Sequence, residues 1–286
     1  MKASEAIRTR RSVRTFSDKP LDPGTADRIL AFADRAENPF DLAIEWKIFP
    51  AAEHPELTSP VIVGAQAWIG GKMPLGIGTG AEEAFGYSFE KILLFAETLG
   101  LGSTIIAGTM DRPAFERAMK LEDGWIMPCV SPLGFPAERM SLRETVMRKG
   151  IRADTRLDFG EIFFDGSFDK PLAPEKAGEL AEVLELTRLS PSAVNKQPWR
   201  IVLDSSSDSV APRLHFYEKR GKGFTASNGW DIQRIDMGIA LCHCTVGLEE
   251  QGFRPSVTDA DPGIALPDRE NTSYCFTVSA APDRSV

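Results

Sequence analysis

Two stretches of the chain line up with each other: AFGYSFEKILLFAETLGLGSTI at 84–105 and DMGIALCHCTVGLEEQGFRPSV at 236–257. Their glycines align at a separation of 152 residues, Gly86 with Gly238 and Gly100 with Gly252. A second pair of segments, 16–36 and 167–189, shares the tetrapeptide Asp-Lys-Pro-Leu at a separation of 151. Because chance rarely keeps nearly the same separation in two places, the sequence predicts an internal duplication.

Each copy has the pattern of an α+β unit, in which a proline starts a helix, apolar strands follow, and a long helix ends at a glycine. In the first copy the pattern predicts helices over 23–36 and 82–99, and strands over 44–50, 60–65 and 130–136. In the second copy it predicts helices over 174–188 and 231–251, and strands over 199–204, 213–218 and 273–280. We therefore expect two similar α+β halves, residues 1–150 and 151–286, joined by the stretch 137–166.

The composition argues against several classes of protein. The chain has 286 residues, of which 42% are hydrophobic, so it can bury a sizeable core. An excess of 41 acidic over 33 basic residues argues against a general nucleic-acid or membrane-surface binder. The four cysteines are irregularly spaced, and no stretch approaches the roughly 20 apolar residues of a membrane helix. We expect a reduced, cytoplasmic protein.

Near the start of the chain, IRTRRSVRTF at 7–16 gathers four arginines around Ser12. Guanidinium groups give paired, charge-assisted hydrogen bonds to a dianionic phosphate, and a hydroxyl adds another. The pattern therefore indicates a phosphate site at Arg10, Arg11, Ser12 and Arg14. The alternative is a solvated helix surface, on which Arg10 and Arg14 share one face.

In the second copy, prolines bracket a polar segment just before a predicted strand, in RLSPSAVNKQPWRIVLD at 188–204. A loop that prolines hold rigid can offer hydrogen-bond donors and acceptors from fixed positions to a planar heteroaromatic ligand. The residues that would do so are Pro191, Ser192, Asn195 and Gln197. The alternative is a plain connection from a helix to a strand.

Together these two segments resemble the flavin-dependent nitroreductase family. In that family the first helix carries an Arg-Arg-Ser-x-Arg element, and the next connection reads Pro-Ser-x-x-Asn-x-Gln-Pro-Trp. The resemblance spans nearly the whole chain: LGLGSTIIAG at 99–108 looks like the family's flavin-ring loop, and SPLGFPAE at 131–138 looks like its closing strand and turn. RADTRLDF at 152–159 resembles the last phosphate-binding segment and points to Arg156.

Members of that family are usually dimers in which each flavin mononucleotide (FMN) takes its phosphate arginines from one subunit and its Pro-Ser-x-x-Asn loop from the other. In this chain the arginine element occurs only in the first copy and the loop only in the second. The resemblance therefore implies a monomeric pseudo-dimer with one FMN per chain, and leaves further self-association open. The chain is similar to a subgroup of the family in which two family units are fused.

For the site, the resemblance implies three groups of residues. Arg10, Arg11, Ser12, Arg14 and Arg156 would hold the phosphate and ribityl oxygens. Backbone N–H groups of Ala107 and Gly108 would contact the flavin ring, although many members carry an acidic residue where Ala107 stands. Pro191, Ser192, Asn195 and Gln197 would line the ring from the other half. No side chain is expected to act as a catalytic nucleophile, because the flavin does the chemistry.

The reaction implied by the resemblance uses NAD(P)H to reduce a small-molecule electron acceptor, such as a nitroaromatic or a quinone, in ping-pong order. A different class of protein also stays open, a non-catalytic flavin-binding or regulatory protein, because one of the two ancestral flavin sites has lost its characteristic residues. Family relatives that keep the flavin but dehalogenate, dehydrogenate or fragment the cofactor define a third possibility.

Two further patterns have simpler interpretations. GIGTG at 76–80 lacks the full GxGxxG of a dinucleotide loop, and we interpret it as a flexible lid. Cys242, His243 and Cys244 suggest a metal site, but on a helix residues two apart point about 200° away from each other. We expect these three residues to pack in the core and no metal to bind.

Overall fold

The computed structural model describes residues 1–76, 80–204, 211–221 and 230–283. The lid predicted over 76–80 therefore lies mostly outside the described residues. The chain forms two compact units. The first consists of Met1–Glu37, Asp41–Ala81 and Ser88–Asp154, and the second of Asn38–Phe40, Glu82–Tyr87 and Thr155–Val286.

The first unit is built on an antiparallel sheet. Its helices are α1 (Ala3–Thr9), α2 (Pro23–Ala33), most of α3 (Ala81–Thr98), α4 (Arg112–Met119) and α5 (Leu142–Gly150). Its strands are β1 (Glu45–Pro50), β2 (Ala67–Pro74), β3 (Gly102–Ser103), β4 (Trp125–Ile126) and β5 (Val130–Gly134). The sheet has the order β1-β2-β5-β3, with β4 paired to β2. The aromatic rings of Phe49, Trp68 and Phe115 meet edge to face in its core.

The second unit contains a sheet of order β6-β7-β8-β10-β9, in which β6 and β7 are parallel and the other neighbours antiparallel. Its strands are β6 (Phe163–Asp165), β7 (Trp199–Asp204), β8 (Arg213–Lys219), β9 (Phe253–Thr258) and β10 (Thr272–Pro282). Its helices are α6 (Phe159–Ile162), α7 (Ala181–Arg188) and α8 (Ile232–Glu250). Nearly every residue of α8 from Gln233 to Leu248 is buried, as in a helix surrounded by core.

The two sheets repeat one strand order. The order β1-β2-β5-β3 in the first unit corresponds to β7-β8-β10-β9 in the second, and all these neighbours are antiparallel. The long helices α3 and α8 are followed by Gly100 and Gly252, which have left-handed φ angles of 79° and 80°. The protein is therefore an α+β protein with two similar halves, as predicted. Within the described residues, the helices are too short or too polar to cross a bilayer.

Inside the second unit, the first turns of α3 cross α8 at two glycines. A β-carbon on Gly86 would lie 2.0 Å from the carbonyl oxygen of Ile235, and one on Gly238 would lie 2.0 Å from that of Glu83. The 152-residue separation that relates Gly86 to Gly238 also relates Glu83 to Ile235. The two close approaches therefore join equivalent residues of the two copies of the repeat.

Some predicted elements were wrong. The strand predicted over 60–65 is a turn with one bridge at Val63, and the strand β2 follows it, because the Ile62 N–H closes a turn onto the Ser59 carbonyl (3.0 Å). The helix predicted over 174–188 begins only at α7, because two short 3-10 turns precede it and Gly178, the first residue of the second turn, takes a left-handed φ of 55°. The predicted joining stretch contains α5, α6 and β6.

Candidate functional site

The arginine element of the first unit lies after a helix rather than on it. Helix α1 ends at Thr9, and Arg10 is extended, with φ −59° and ψ 140°. Val13 N–H donates to the Ser103 carbonyl (2.9 Å), so the segment runs beside β3 with Ser12 in a parallel bridge to Ser103. The resemblance placed this element on the first helix, and that placement was wrong, because hydrogen bonds to the backbone of β3 hold the segment in an extended conformation.

Arg10 has a carboxylate partner within the first unit. Its Nε lies 3.4 Å from Oε1 of Glu90 on α3, and only 6% of the Arg10 side chain is exposed. This ion pair fixes the chain just after α1 against α3. A contact between Arg10 and a phosphate stays a prediction.

Arg11 and Arg14 carry donors that are buried and unused. Within the described residues, Nε and Nη1 of Arg14 and Nη1 of Arg11 have no hydrogen-bond partner. Arg14 is only 8% exposed, and the nearest carboxylate oxygen to Arg11 Nη1, Oε1 of Glu144, is 4.0 Å away. Buried polar groups are almost always paired, so these donors fit an anion that supplies the missing acceptors.

Helix α5 places two charged side chains that sequence reasoning missed. Glu144 and Arg148 lie four residues apart on its buried face, where Glu144 Oε2 accepts from Thr15 Oγ1 (2.7 Å) and Arg148 Nη1 donates to the Ser12 carbonyl (3.1 Å). The opposite face exposes 85% of Leu142 and 71% of Val146. The amphipathic pattern is inverted here: from the sequence alone it would have placed Leu142 and Val146 in the core, so it gave no signal for Glu144 and Arg148.

The charges of this cluster favour an anion. Arg11 Nη1 lies 4.0 Å from the Glu144 carboxylate, the charges of Glu144 and Arg148 both act on Arg14, and Arg148 pairs with the exposed Asp154. Burial lowers the pKa of Arg14, Glu144 opposes that shift, and Arg148 adds to it. A buried arginine next to another arginine is stabilised by an added negative charge, and a phosphate fits this set of donors.

The segment predicted to contact the flavin ring leaves the sheet after Ile106. Ile106 exchanges backbone hydrogen bonds with Val130 (2.8 and 2.9 Å), after which Ala107 is half-buried and Gly108 exposed. Arg112, which opens α4, donates to the carbonyls of Met127 (2.7 Å), Pro128 (3.0 Å) and Ala107 (3.4 Å). Sequence reasoning missed this arginine, which fixes the backbone of the turn.

In the second unit, the segment between Pro191 and Pro198 adopts a strained backbone. Val194, Asn195 and Gln197 have positive φ angles of 42°, 57° and 49°. A β-branched residue such as valine is rarely left-handed, and each residue in a sparsely populated region costs about 1 to 3 kcal/mol. Such strain concentrates at functional loops, which agrees with the predicted recognition role.

The structure brings most predicted residues of the second unit together. Gln197 N–H donates to Ser192 Oγ (2.8 Å), and Gln197 Oε1 accepts from Leu157 N–H (2.9 Å). Asn195 Nδ2 donates to the Thr155 carbonyl (3.0 Å), and Asn195 Oδ1 lies 3.5 Å from Arg156 Nη1. Arg156 Nη2 donates to the Leu189 carbonyl (3.0 Å). These side chains hold the loop against 155–157, and Pro191 directly precedes it.

One buried carboxyl of α8 contacts this loop. Ala193 N–H donates to both oxygens of Asp236, at 3.0 and 3.1 Å, and Asp236 is only 3% exposed. Burial raises the pKa of Asp236 well above its ordinary value, the Ala193 N–H opposes this, and Asp231 and Glu218 add to it. Sequence reasoning did not select Asp236, because a lone aspartate within a helix pattern gives no signal of its tertiary contact.

The cysteine and histidine residues of α8 lie in the core of the second unit. Cys242, His243 and Cys244 are all buried, and His243 Nδ1 lies 3.1 Å from the Leu186 carbonyl. Among the described residues there is no cluster of histidine, cysteine, aspartate or glutamate side chains suited to a metal ion.

Replacing Asp236 with asparagine is expected to flatten the pH dependence of stability. The folded protein holds the Asp236 proton at pH values where the unfolded chain, with a pKa of about 3.9, has lost it. The free energy of unfolding of the wild type therefore falls as pH rises from about 4 towards the raised pKa, whereas asparagine cannot titrate. Urea unfolding of both proteins across this pH range would test this prediction. If the free energy of unfolding varied with pH in the same way in both proteins, the prediction would be contradicted.

Comparison with known proteins shows the family and the fold of the chain. A family model described as "Putative TM nitroreductase" matches residues 2–248. A search of curated proteins found no match. Among solved structures, a "putative nitroreductase (tm1586)" from Thermotoga maritima MSB8 covers 99% of this chain and 94% of its own, with 18% sequence identity and a TM-score of 0.62. At that identity the likeness shows the fold.

Other solved structures match about half of the chain. A nitroreductase family protein from Clostridium novyi NT covers 48% of this chain and 87% of its own, with 18% identity and a TM-score of 0.41. An FMN-dependent nitroreductase from Clostridium difficile R20291 covers 50% and 94%, with 18% identity and a TM-score of 0.40. The family model, which matches most of the sequence, shows that this chain belongs to the nitroreductase family described as "Putative TM nitroreductase".

Proposed function

We propose that this protein is an FMN-dependent oxidoreductase that uses NAD(P)H to reduce small-molecule acceptors such as nitroaromatics or quinones. Membership of a nitroreductase family supports the oxidoreductase class. The observation that carries the choice of a phosphorylated cofactor is the pair of buried Arg14 nitrogens, Nε and Nη1, that lack acceptors in the described residues. A dianionic phosphate supplies acceptors of the right charge.

We propose that one FMN binds per chain. Arg11, Arg14 and Ser12 would hold its phosphate, and Arg10 remains in the predicted set although Glu90 is its partner. The backbone of Ala107 and Gly108 would contact the flavin ring. In the proposal, the second unit adds Arg156, Pro191, Ser192, Asn195 and Gln197, whose mutual hydrogen bonds keep the loop in one shape.

Bound FMN would supply the redox chemistry, taking electrons from NAD(P)H and passing them to the acceptor. The chain's own residues bind and orient. Arg11 and Arg14 neutralise the phosphate, and Arg112 keeps the turn at Ala107 fixed through three backbone carbonyls. The hydrogen bonds within 192–197 hold the polar groups of that loop in position before any ligand arrives.

Purified protein supplied with FMN is expected to be yellow and to lose the flavin absorbance within seconds when mixed anaerobically with NADH or NADPH. Adding a quinone or a nitroaromatic should restore the absorbance and sustain NAD(P)H oxidation. Stopped-flow absorbance measures both steps. A yellow complex that does not bleach with either nicotinamide would favour the non-catalytic flavin-binding protein, and colourless protein that takes up no FMN would contradict the proposal.

A further inference from the structure

The loop 192–197 has one attachment to the core of its unit that the proposed flavin contacts do not explain. Ala193 N–H donates to both carboxyl oxygens of Asp236, whose side chain projects from the buried helix α8. Ala193 is the first residue of the short 3-10 turn Ala193–Asn195, and two of the three left-handed residues, Val194 and Asn195, lie directly after it. The contact therefore lies at the point where the strained backbone begins.

A strained backbone persists only where its surroundings over-determine it. Other polar contacts join the loop to its own residues, to 155–157 and to β7, where Arg200 Nη1 donates to the Gln197 carbonyl (3.0 Å). Asp236 is nearly fully buried and attaches the loop to α8, the most buried helix of the unit. A hydrogen bond to a rigid, buried acceptor transmits that rigidity to the loop.

The first copy of the repeat lacks both parts of this contact. The separation of 152 residues that aligns Gly86 with Gly238 places Ala84 opposite Asp236. The first copy also has AENPF, at 36–40, in place of the Pro-Ser-x-x-Asn loop. A buried carboxyl is costly wherever it is not needed, so its presence only beside the strained loop indicates a role tied to that loop.

We propose that Asp236 is a positioning residue that holds the loop 192–197 in its left-handed shape by accepting the Ala193 N–H. The expected effect of Asp236 on flavin affinity rests on the proposed function, whereas its effect on the shape of the loop does not. The carboxyl is an effective acceptor in its neutral form as well, since it keeps a carbonyl oxygen. Asparagine, which has the same shape and one carbonyl oxygen, should therefore replace it.

Hydrogen exchange gives a readout that does not depend on flavin. The Gln197 amide, which donates to Ser192 Oγ inside the loop, is expected to exchange about tenfold faster in Asp236→Ala, because one hydrogen bond to a carboxyl is lost. Asp236→Asn should restore slow exchange. Thr245→Val is the matched control on α8, since it removes a buried hydrogen bond to Tyr87 without touching the loop.

A second variant removes the donor instead of the acceptor. Ala193→Pro deletes the backbone N–H that donates to Asp236. Proline suits this position, because it is the first of a helical turn and follows the extended Ser192 (φ −148°, ψ 162°). It should accelerate Gln197 exchange as Asp236→Ala does. If Asp236→Ala does not fold, this variant decides the question alone, and wild-type exchange rates at Gln197 in it would overturn the inference.

Flavin titration separates this inference from the proposed function. Asp236→Ala should weaken FMN and riboflavin by the same factor, because the loop would contact the ring that both share, while Asp236→Asn keeps wild-type affinity. If the wild type binds no flavin but Gln197 exchange responds as expected, the proposed function fails and the positioning role stands. If the wild type binds flavin and Asp236→Ala changes neither exchange nor affinity, the positioning role is wrong.

Discussion

Arg14→Met is expected to weaken FMN binding by about a hundredfold or more and to leave riboflavin binding unchanged, since riboflavin has no phosphate. Two unused donors of Arg14, Nε and Nη1, would each make a charge-assisted hydrogen bond to the phosphate, and each such bond contributes about 1.5 to 3 kcal/mol. Fluorescence titration of both flavins gives the ratio of their dissociation constants. The preference for FMN over riboflavin should fall by the same factor of about a hundred or more in the variant, with the remainder supplied by Arg11 and Ser12.

The apoprotein should tolerate the same substitution. Methionine keeps the apolar stem of the side chain, and two of the three nitrogens that are lost, Nε and Nη1, make no hydrogen bond within the described residues. Arg11 remains beside Glu144 to compensate its charge. Arg8→Met is the matched control, because Arg8 is an exposed arginine of the same segment. Equal loss of FMN in both variants, or an unchanged FMN-to-riboflavin ratio in Arg14→Met, would remove Arg14 from the phosphate site.

Gly238→Ala is expected to destabilise the protein by about 3 kcal/mol or more. The added β-carbon would lie 2.0 Å from the Glu83 carbonyl oxygen, and a backbone atom inside a helix cannot rotate away as a side chain can. Helices α3 and α8 must then separate, which outweighs the gain of about 1 kcal/mol from the better helix propensity of alanine. Thermal unfolding of the purified variant measures the loss.

Gly150→Ala is the control for this substitution. Gly150 is the last residue of α5, and a β-carbon there meets no atom within 4 Å, so the change should be neutral or slightly stabilising. The reciprocal geometry adds a second check. Gly86→Ala should cost about as much as Gly238→Ala, and the double variant less than the sum, because helices that have already separated leave room for the second methyl. Additive effects would contradict a shared crossing.

Elements with strong local signals were predictable from the sequence. Pro23 opens α2 as predicted, with the Asp22 side chain accepting the Thr25 N–H (3.1 Å). The glycines after α3 and α8 mark both helix ends, and the separation of 152 residues identified the helices that cross at Gly86 and Gly238. These features depend on caps, terminators and repeats, which neighbouring residues determine.

Tertiary contacts account for what the sequence did not reveal. The segment around Ser12 is extended because its backbone partner is Ser103, far away in the chain, and helical spacing of its arginines was therefore misleading. Glu144 and Arg148 lie in a stretch predicted only to join the two halves. In the sequence Asp236 is one polar residue of a long helix, and only the folded structure shows that it accepts a hydrogen bond from the Ala193 N–H. The basic residues of the proposed phosphate site were visible in the sequence, and their partners were not.

The left-handed residues at 194, 195 and 197 also determine when the loop becomes ordered. Glycine at these positions would have made the shape easy to reach and equally easy to leave. With valine, asparagine and glutamine, the cost of the shape is met once, during folding, by the contacts that surround it. An incoming molecule then meets a surface that is already preorganised and loses little conformational entropy at the moment of association.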